Sequence, residues 1–284
     1  MSEYIKVNKH KFVIIGLSFL AIGIWSVSFR LPDSKLHVKV LSVGQGDSIF
    51  IRTPSGYKIL VDGGPDDKVL PLLGEELPFY DKSLDLVVAT HPQADHIGGL
   101  VDVVKRYNVK NIWTSYSESQ TQVYSQWRQV LGENNLKTTS VFAGDKMIFP
   151  DGLELSVVWP RGKSSYTDSN TTAVVIQIDY KEFEGLLSSD ADQQVQPYES
   201  GVSDIEFLKV PHHGSKTALK KEYLAKLSPQ ISVISAGEKN RYGHPNKLLL
   251  DMLQNAGTKV FRTDQQGSVE IVSDGTNWYT RTER

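Results

Sequence analysis

The order of predicted elements in the first half of the chain recurs in the second half, and this repetition limits the folds open to the chain. Short β-rich runs over 36–61 are broken by turn signals at 44–46 and 54–56. A second meander runs over 138–187 and begins with a predicted hairpin over 138–149. Strands and helices alternate after each meander. Two packed sheets with helices on their outer faces are therefore predicted, in an α/β arrangement.

The alternating elements account for most of the remaining chain. Helices are predicted over 100–107, 119–131, 216–227 and 246–256 and after Asp192, and strands over 84–89, 111–114, 205–210, 231–235, 258–262 and 268–272. A layered α/β enzyme can use 284 residues as one unit with a large core, so one main domain is predicted over 36–284.

The lack of cysteine narrows the chemistry that the chain can carry. Thiolate ligands, disulfides and a cysteine nucleophile are excluded, which leaves His, Asp and Glu as metal ligands. The formal net charge is −2, so no global positive field marks a nucleic-acid binder. Any site for a polyanion must therefore be local.

An apolar segment near the N-terminus predicts a membrane anchor. Residues 12–29 carry no charge and are just numerous enough to span a bilayer as a helix. Lysines at positions 6, 9 and 11 favour a cytoplasmic tail over 1–11, a membrane-spanning helix over 12–30 and a domain outside the cell membrane. The alternative is a signal peptide cleaved near the small residues 26–28, although no Ala-x-Ala site is present. A buried core helix is disfavoured because the run is apolar on every face.

A cassette of potential metal ligands follows the predicted strand 84–89. His91, Asp95 and His96 lie within six residues, where a buried strand runs out into solvent. On a tight loop Asp95 and His96 can face one ion while His91 and position 93 face another. Position 93 is Gln, whose neutral carbonyl oxygen is a poor ligand for zinc, though acceptable to manganese.

Three further candidates each follow a predicted strand or its adjoining loop: Asp190, the pair His212 and His213, and His244. Ligands at the ends of several strands must converge if they share a site, and one end of a sandwich allows this. The alternatives are a turn carboxylate for Asp190 and a surface histidine ahead of a proline-initiated helix for His244. The sequence does not distinguish which of His212 and His213 faces a metal.

The cassette resembles the His-x-His-x-Asp-His motif of the metallo-β-lactamase superfamily, and the surrounding sequence is similar to the extracytoplasmic hydrolase domain of ComEC-type DNA-uptake proteins. The supporting motifs are Val43-Gly44-Gln45-Gly46-Asp47, Val61-Asp62-Gly63-Gly64, Ser169-Asn170-Thr171, Leu187-Ser188-Ser189-Asp190, Pro211-His212-His213-Gly214-Ser215, Tyr242-Gly243-His244-Pro245 and Arg262-Thr263-Asp264. The resemblance implies a four-layer αββα sandwich and a metal-dependent nuclease or phosphodiesterase acting on DNA.

The resemblance also implies a ligand set for one or two divalent ions, zinc or manganese. Asp95, His96, Asp190 and His213 match the ligands of the second metal site, and His212 is then expected behind the ligands or on the substrate. The first site would use His91, Gln93 and Asn170, with Asp190 shared. The superfamily usually has His at position 93 and ComEC-type domains often have Asp, so Gln93 departs from both patterns and weakens the first site.

Roles in hydrolysis are assigned to residues around these ligands. Asp95 is expected to orient or deprotonate the attacking water, while His244 and Lys216 hold a phosphate or protonate the leaving oxygen. The predicted substrate-binding residues are Ser215, Asn240 and Tyr242, with Tyr242 placed to stack on a base. Three basic residues nearby, Lys239, Arg241 and Lys247, would favour binding of a negatively charged substrate. The alternative is that they form an ordinary solvated face, as such residues more often do.

Three hypotheses follow for function. The first is an anchored, outward-facing phosphodiesterase or nuclease in a competence-related role, with DNA as substrate and a separate DNA-uptake channel as a candidate partner. The second is a hydrolase of another ester or phosphoester on the same scaffold. The third is a non-catalytic DNA-binding or scaffolding protein with a degraded first metal site, for which Gln93 is the best evidence.

Overall fold

The computed structural model describes residues 11–19, 32–163, 168–196 and 201–284. Residues 11–19 are helical and exposed, and the remainder of the predicted anchor, residues 20–30, lies outside the described residues. Within the described ranges, no helix combines the length and the apolar character that crossing a bilayer requires.

The described part of the chain is built from short strands and short helices. The strands are β1 Leu36–Val40, β2 Ile49–Arg52, β3 Lys58–Val61, β4 Ser83–Leu84, β5 Leu86–Ala89, β6 Asn108–Val109, β7 Ile112–Thr114, β8 Thr139–Ser140, β9 Lys146–Ile148, β10 Glu154–Trp159, β11 Val175–Tyr180, β12 Phe183–Leu187, β13 Phe207–Lys209, β14 Ile231–Ile234, β15 Lys259–Arg262, β16 Val269–Ser273 and β17 Trp278–Thr282. The helices are α1 Val69–Glu76, α2 Ala94–Ile97, α3 Leu100–Arg106, α4 Gln122–Glu133, α5 Lys221–Leu227, α6 Lys247–Asn255 and α7 Thr263–Gln266, with 3₁₀ turns at Ser169–Thr172 and Pro211–Gly214.

Two large sheets form the centre of the molecule. The first has the strand order β17-β16-β1-β2-β3-β5-β7-β8, and the second has the order β15-β14-β13-β12-β11-β10-β9. Each sheet combines an antiparallel meander with a parallel part, which is β3, β5, β7 and β8 in the first sheet and β12 to β15 in the second. The carboxyl ends of parallel strands meet at one edge of a sheet, so the loops that follow them can build a common site.

Three hydrophobic clusters hold the layers together. The central cluster lies between the sheets and includes Val38 and Ile176. A second packs α1, α3 and α4 on the outer face of the first sheet, with Trp127 buried in it. The third packs α5 and α6 on the second sheet around Leu224 and Leu253. Because helices pack on the outer face of each sheet, the predicted helix-sheet-sheet-helix arrangement is confirmed.

The predicted hairpin over 138–149 is wrong. Thr139 of β8 pairs in parallel with Trp113 in the first sheet, whereas β9 pairs antiparallel with β10 in the second. The intervening turn at Gly144, with φ at +103°, carries the chain from one sheet to the other, and Gly144 N–H donates to Val157 O at 3.0 Å. Pairing with distant strands therefore overrides the local turn pattern.

Two further elements differ from the sequence prediction. The helix predicted after Asp192 is absent from the described residues 191–196, which form turns, and residues 197–200 lie outside the described part of the chain. Strand β17 was not predicted, and it pairs antiparallel with β16 as the outermost strand of the first sheet. The helix predicted over 119–131 begins after Thr121, whose hydroxyl caps it by accepting from Tyr124 N–H.

Candidate metal centre

The loops after β3, β5, β12 and β13 meet at one end of the sandwich. They can approach closely because glycine stands where two backbones touch. A Cβ on Gly99 would lie 2.1 Å from the Gly63 carbonyl oxygen, and one on Gly46 would lie 2.2 Å from that of Asp95. Two backbone hydrogen bonds hold these loops together. Gly63 N–H donates to His96 O at 2.7 Å, and Asp47 N–H donates to Asp95 O at 3.2 Å. The cassette is thereby fixed against the loops of the first sheet.

Four side chains from three of these loops form one group, which we call the ligand cluster: Asp95, His96, Asp190 and His213. One potential ligand atom from each lies within 4.8 Å of the other three. His96 Nε2 is 3.3 Å and His213 Nε2 is 3.6 Å from Asp190 Oδ1, and His213 Nε2 is 3.3 Å from Asp95 Oδ2. Three of the four residues are buried, and the Asp95 side chain is 31% exposed.

The ligand cluster fits a divalent cation. His96 Nε2, His213 Nε2 and Asp190 Oδ1 are buried and have no hydrogen-bond partner in the part of the chain that the structure describes. Buried polar atoms without partners are costly and rare, so their convergence calls for a ligand that all of them share. Two ligand atoms bound to one zinc ion lie at most about 4.2 Å apart. The three nitrogen–oxygen distances of 3.3, 3.6 and 3.3 Å in the ligand cluster are within this limit. The mixed imidazole and carboxylate donors suit zinc or manganese.

His213 stands on a strained turn. His212 has φ at +48° and His213 has φ at +51°, both in the left-handed region that residues other than glycine seldom occupy. Two consecutive residues in this region cost free energy, which the surrounding structure must offset. The turn places His213 in the ligand cluster, whereas His212 Nε2 lies 3.9 Å from the other oxygen of Asp190, Oδ2. The structure therefore separates two neighbours that the sequence could not.

A buried carboxylate stands behind His96. The His96 Nδ1–H group donates to Asp62 Oδ2 at 2.7 Å, and Asp62 also accepts from Thr90 N–H at 2.9 Å and from the Thr90 hydroxyl at 2.7 Å. Because Asp62 holds the Nδ1–H group, Nε2 is the ring nitrogen that faces Asp190 and is placed to bind a cation. Burial disfavours charge on His96, but Asp190 and Asp62 outweigh it and raise the pKa of His96 well above its usual value.

A buried ion pair stands behind His213, and the sequence analysis missed it. Lys209 Nζ donates to Asp47 Oδ2 at 2.7 Å and to Val210 O at 3.0 Å, and Asp47 Oδ1 lies 3.3 Å from His213 Nδ1. Both Lys209 and Asp47 are fully buried. Burial opposes ionisation, but Lys209 and His213 lower the pKa of Asp47, while Asp190 and Asp47 raise the pKa of His213 to about 10. The sequence feature that could have indicated this ion pair is the presence of a lysine within the otherwise apolar strand β13.

The other part of the cassette, which we call the His91 side, comprises His91, Gln93 and Asn170. His91 Nδ1 lies 3.1 Å from the Thr90 hydroxyl and 3.4 Å from that of Ser189, and His91 Nε2 is 4.0 Å from Asp190 Oδ2. Burial and the nearby His96 lower the pKa of His91 to about 3, so the ring is neutral. Gln93 donates through Nε2 to the Ser169 hydroxyl at 2.9 Å and to Asn170 Oδ1.

The loop that carries His244 lies beside the ligand cluster. The His244 ring centroid is 5.9 Å from that of His212 and 6.4 Å from that of His213. Tyr242 stacks on His244 at 5.8 Å and is 57% exposed. Burial and the neighbouring histidines lower the pKa of His244. The side chain of Asn240 is engaged within the loop, since it donates to Gly237 O and His244 O and accepts from the N–H groups of Tyr242 and His244.

The remaining predicted site residues lie around this region. Ser215 is buried directly after the turn of His213, with its hydroxyl 3.3 Å from that of Thr217. Lys216 and Lys239 are exposed, and Lys247 pairs with Asp251 on helix α6 at 3.0 Å. The Arg241 guanidinium lies 5.2 Å from the centre of the Tyr242 ring. The geometry thus places Arg241 and Tyr242 together at the exposed edge.

Comparison with known proteins places these motifs in context. The family model described as the metallo-beta-lactamase superfamily matches residues 41–238. ComE operon protein 3 of Bacillus subtilis (strain 168) is 29% identical over 258 residues, which cover 84% of this chain and 33% of that protein. Recombination protein 2 of Haemophilus influenzae is 28% identical, covering 95% and 32%, and competence protein ComA of Neisseria gonorrhoeae is 25% identical, covering 86% and 34%. The chain spans about a third of the length of these relatives.

Solved structures with the same architecture are more distant in sequence. The metallo-beta-lactamase fold protein YhfI from Bacillus subtilis superposes with a TM-score of 0.52 at 12% identity, covering 87% of this chain and all of that chain. CmlA, a diiron beta-hydroxylase from Streptomyces venezuelae, superposes with a TM-score of 0.55 at 14% identity, covering 82% and 53%. At these identities the likeness concerns the fold alone.

Proposed function

The chain belongs to the metallo-β-lactamase superfamily, as its motifs predicted, and we propose that it is a metal-dependent hydrolase that cleaves phosphodiester bonds in DNA. The observation that carries this proposal is the ligand cluster, where buried nitrogen and oxygen atoms without hydrogen-bond partners among the described residues converge beside a partly exposed carboxylate. The similarity to competence and recombination proteins favours DNA over other phosphodiesters.

Asp95, His96, Asp190 and His213 would hold the cation. A divalent ion bound there lowers the pKa of a water molecule and offsets negative charge on a phosphoryl oxygen. The rigid hydrogen bonds of Asp62 and the placement of Asp47 fix the two imidazole rings, so little reorganisation is needed when the cation binds. The pKa of Asp95 is lowered, because its contacts with His213 and His96 outweigh burial, and its carboxylate is therefore ionised at neutral pH.

Asp95 is the member of the ligand cluster that reaches solvent. Its side chain is 31% exposed, whereas that of Asp190 is 1% exposed. A water molecule entering from the accessible side therefore meets Asp95 first. We assign Asp95 to orient this water and to accept its proton, because a carboxylate beside the reacting oxygen is placed for that transfer.

His212 and His244 face the side where a phosphate would lie. The Nδ1 atoms of both rings are buried and lack hydrogen-bond partners among the described residues. The lowered pKa of His244 keeps its ring neutral at pH 7, which favours a hydrogen-bonding role toward phosphate over donation of a proton to the leaving oxygen. Ser215 and Lys216 follow on the same loop and are proposed as further phosphate contacts.

The exposed edge beyond His244 suits single-stranded nucleic acid. Tyr242 offers an aromatic face, and Arg241 beside it adds positive charge. Base stacking on an aromatic ring combined with a cation is the common way to bind a strand without sequence preference. The site also lies in a protein of net charge −2, so its affinity for DNA depends on this local edge.

We place the domain outside the cytoplasmic membrane, anchored through 12–30 and working beside a separate uptake channel. The uncharged run over 12–29 and the lysines before it support this orientation. Protease added to intact spheroplasts is expected to remove the domain while a cytoplasmic marker survives. Protection of the domain until the membrane is broken would contradict the orientation.

Hydrolysis is tested with the purified full chain supplied with manganese or zinc. The substrates are single-stranded DNA, double-stranded DNA, bis(p-nitrophenyl) phosphate and a phosphorylcholine ester. Asp95→Ala and His96→Ala are expected to abolish cleavage of DNA, while Asp102→Asn, a carboxylate change on helix α3 outside the site, preserves it. Cleavage of the phosphorylcholine ester alone would favour another phosphoester as substrate. DNA binding without cleavage of any substrate would favour a non-catalytic binding protein.

A further inference from the structure

We infer that the site holds one divalent cation rather than two, because Gln93 and Asn170 bind each other where a second cation would need them. This inference rests on the proposed function, since it specifies the metal content of the same site. Its basis is the geometry of the His91 side, which differs from that of the ligand cluster in hydrogen bonding, in the spacing of ligand atoms and in charge.

The side-chain amides of Gln93 and Asn170 are in direct contact. Gln93 Nε2 donates to Asn170 Oδ1 and to the Ser169 hydroxyl. An amide can be turned so that its oxygen and nitrogen exchange places, but in either orientation one N–H group must face one carbonyl oxygen. One of the two neutral oxygens therefore already accepts a hydrogen bond within the pair, which competes with its binding of a cation. The His91 side is left with one amide oxygen outside this hydrogen bond and one imidazole of its own.

The loop that carries Asn170 holds this contact in place. Asp168 caps the 3₁₀ turn by accepting from Asn170 N–H at 3.0 Å, and the Trp159 indole N–H donates to Thr171 O at 2.8 Å. Thr172 O in turn accepts from the Ser115 hydroxyl at 2.9 Å. Asn170 is only 9% exposed. Freeing its oxygen for a cation would mean breaking the amide contact inside a loop that is anchored on both sides.

The stronger donors near His91 do not converge as those of the ligand cluster do. Asp190 Oδ2 lies 4.0 Å from His91 Nε2 and 3.9 Å from His212 Nε2. Among the described residues, neither of these histidines belongs to a group of three His, Asp or Glu side chains whose ligand atoms all lie within 4.8 Å of one another. The ligand cluster meets this limit with all four of its members.

The test measures metal content rather than turnover. The full chain is loaded with manganese or zinc, freed of excess ion and measured by elemental analysis and native mass spectrometry. One ion per chain is expected, and the manganese form is expected to show the electron paramagnetic resonance spectrum of an isolated ion. Two ions per chain with a spin-coupled spectrum would overturn the inference and leave the proposed function standing. A chain that binds no ion would overturn the proposed function itself.

Matched variants identify which residues determine the number of ions bound per chain. His91→Gln is expected to keep the ion, whereas His96→Gln, the same change five positions along, is expected to lose it. The double variant Gln93→His with Asn170→His replaces the amide pair with two imidazoles and is expected to bind a second ion. Gln93→Asp repeats this gain with a smaller change, in case the double variant unfolds. Loss of the ion from His91→Gln, or no gain in either gain variant, would overturn the inference.

Discussion

The two halves of the cassette differ in what stands behind their histidines. His96 donates to the buried carboxylate of Asp62, and His213, which joins it in the ligand cluster, lies against Asp47 and its partner Lys209. His91 lies against the hydroxyls of Thr90 and Ser189. A carboxylate that accepts from an imidazole fixes the ring and makes its free nitrogen a better ligand. Hydroxyl groups contribute no charge to that effect.

This difference shows why the number of histidines is a poor guide to the number of ions. The cassette supplies two histidines five positions apart in a stretch that resembles a two-ion motif. Of these two histidines, His96 has a carboxylate behind it, Asp62, and the Asp190 carboxylate 3.3 Å from its free nitrogen. The free nitrogen of His91 lies farther from that residue, 4.0 Å from Asp190 Oδ2, and His91 has hydroxyl groups in place of a carboxylate at its other nitrogen. We therefore expect the charged residues behind the rings to decide where a cation binds.

The largest expected effect is on the buried pair behind His213. Lys209→Met removes the cation and leaves Asp47 charged in a fully buried position. Breaking a buried ion pair from one side costs about 3–5 kcal/mol of unfolding free energy. Urea denaturation of the metal-free protein measures this loss. Lys105→Met, which breaks the exposed pair with Asp102, is the control and should cost about 0.5 kcal/mol.

A double variant separates the lost pair from lost packing. Lys209→Met combined with Asp47→Asn removes both charges and should recover much of the stability, because the penalty of the single variant comes from the unpaired carboxylate. If the double variant is as unstable as Lys209→Met alone, the two residues do not act as a pair and the electrostatic account of this region fails.

The next expected effect is on metal affinity, and it compares the supports of the two histidines directly. Asp62→Asn weakens the support of His96, whereas Ser189→Ala removes a hydroxyl beside His91. Loss of a carboxylate behind a ligand typically lowers metal affinity by about 10–100-fold. Competition with a chromophoric chelator should show this loss for Asp62→Asn and a change of less than about 3-fold for Ser189→Ala. Equal losses would remove the distinction between the two halves, provided that both variants melt as folded proteins.

The layers of the fold could be predicted because each depends on local patterns. Alternating apolar residues identify strands such as β1 and β11, and the helices that cover them have apolar faces. The crossing of the chain over 138–149 could not be predicted. Its two strands look like a hairpin locally, and only the contacts of Thr139 with Trp113 and of Lys146 with Ser156 show that they belong to different sheets.

The candidate site also has residues that could be predicted from the sequence and residues that could not. The ligand candidates stand out in sequence because histidines and carboxylates cluster in recognisable motifs, and their assignment drew on a family resemblance. Asp47 and Lys209 were overlooked as a pair because 162 positions separate them, and a single lysine in a strand normally faces solvent. Which of His212 and His213 enters the ligand cluster depends on two left-handed backbone angles that the sequence does not encode legibly.

The smallest expected effect concerns a carboxylate with the opposite surroundings to Asp47. Asp179 lies on β11 beside Glu184 and Glu154, and burial together with these like charges raises the pKa of Asp179 to about 6. Its folded pKa is higher than its unfolded value of 3.8, so folding favours the protonated form. The stability it contributes is present below pH 3.8 and is lost as the pH rises through about 6. Asp47 has a lysine partner and behaves in the opposite sense.

Asp179→Asn should therefore stabilise the protein at pH 8 and leave its stability unchanged at pH 4. Because the side chain is only partly buried, solvent screening limits the gain to about 1 kcal/mol or less. Melting temperatures of the variant and the parent are compared at both values of pH, so that titrations common to the two proteins cancel. Glu182→Gln, in the turn between β11 and β12, is the control and should show no pH-dependent difference. A gain at pH 4 as large as that at pH 8 would mean that packing, and not charge, distinguishes this carboxylate from the one beside Lys209.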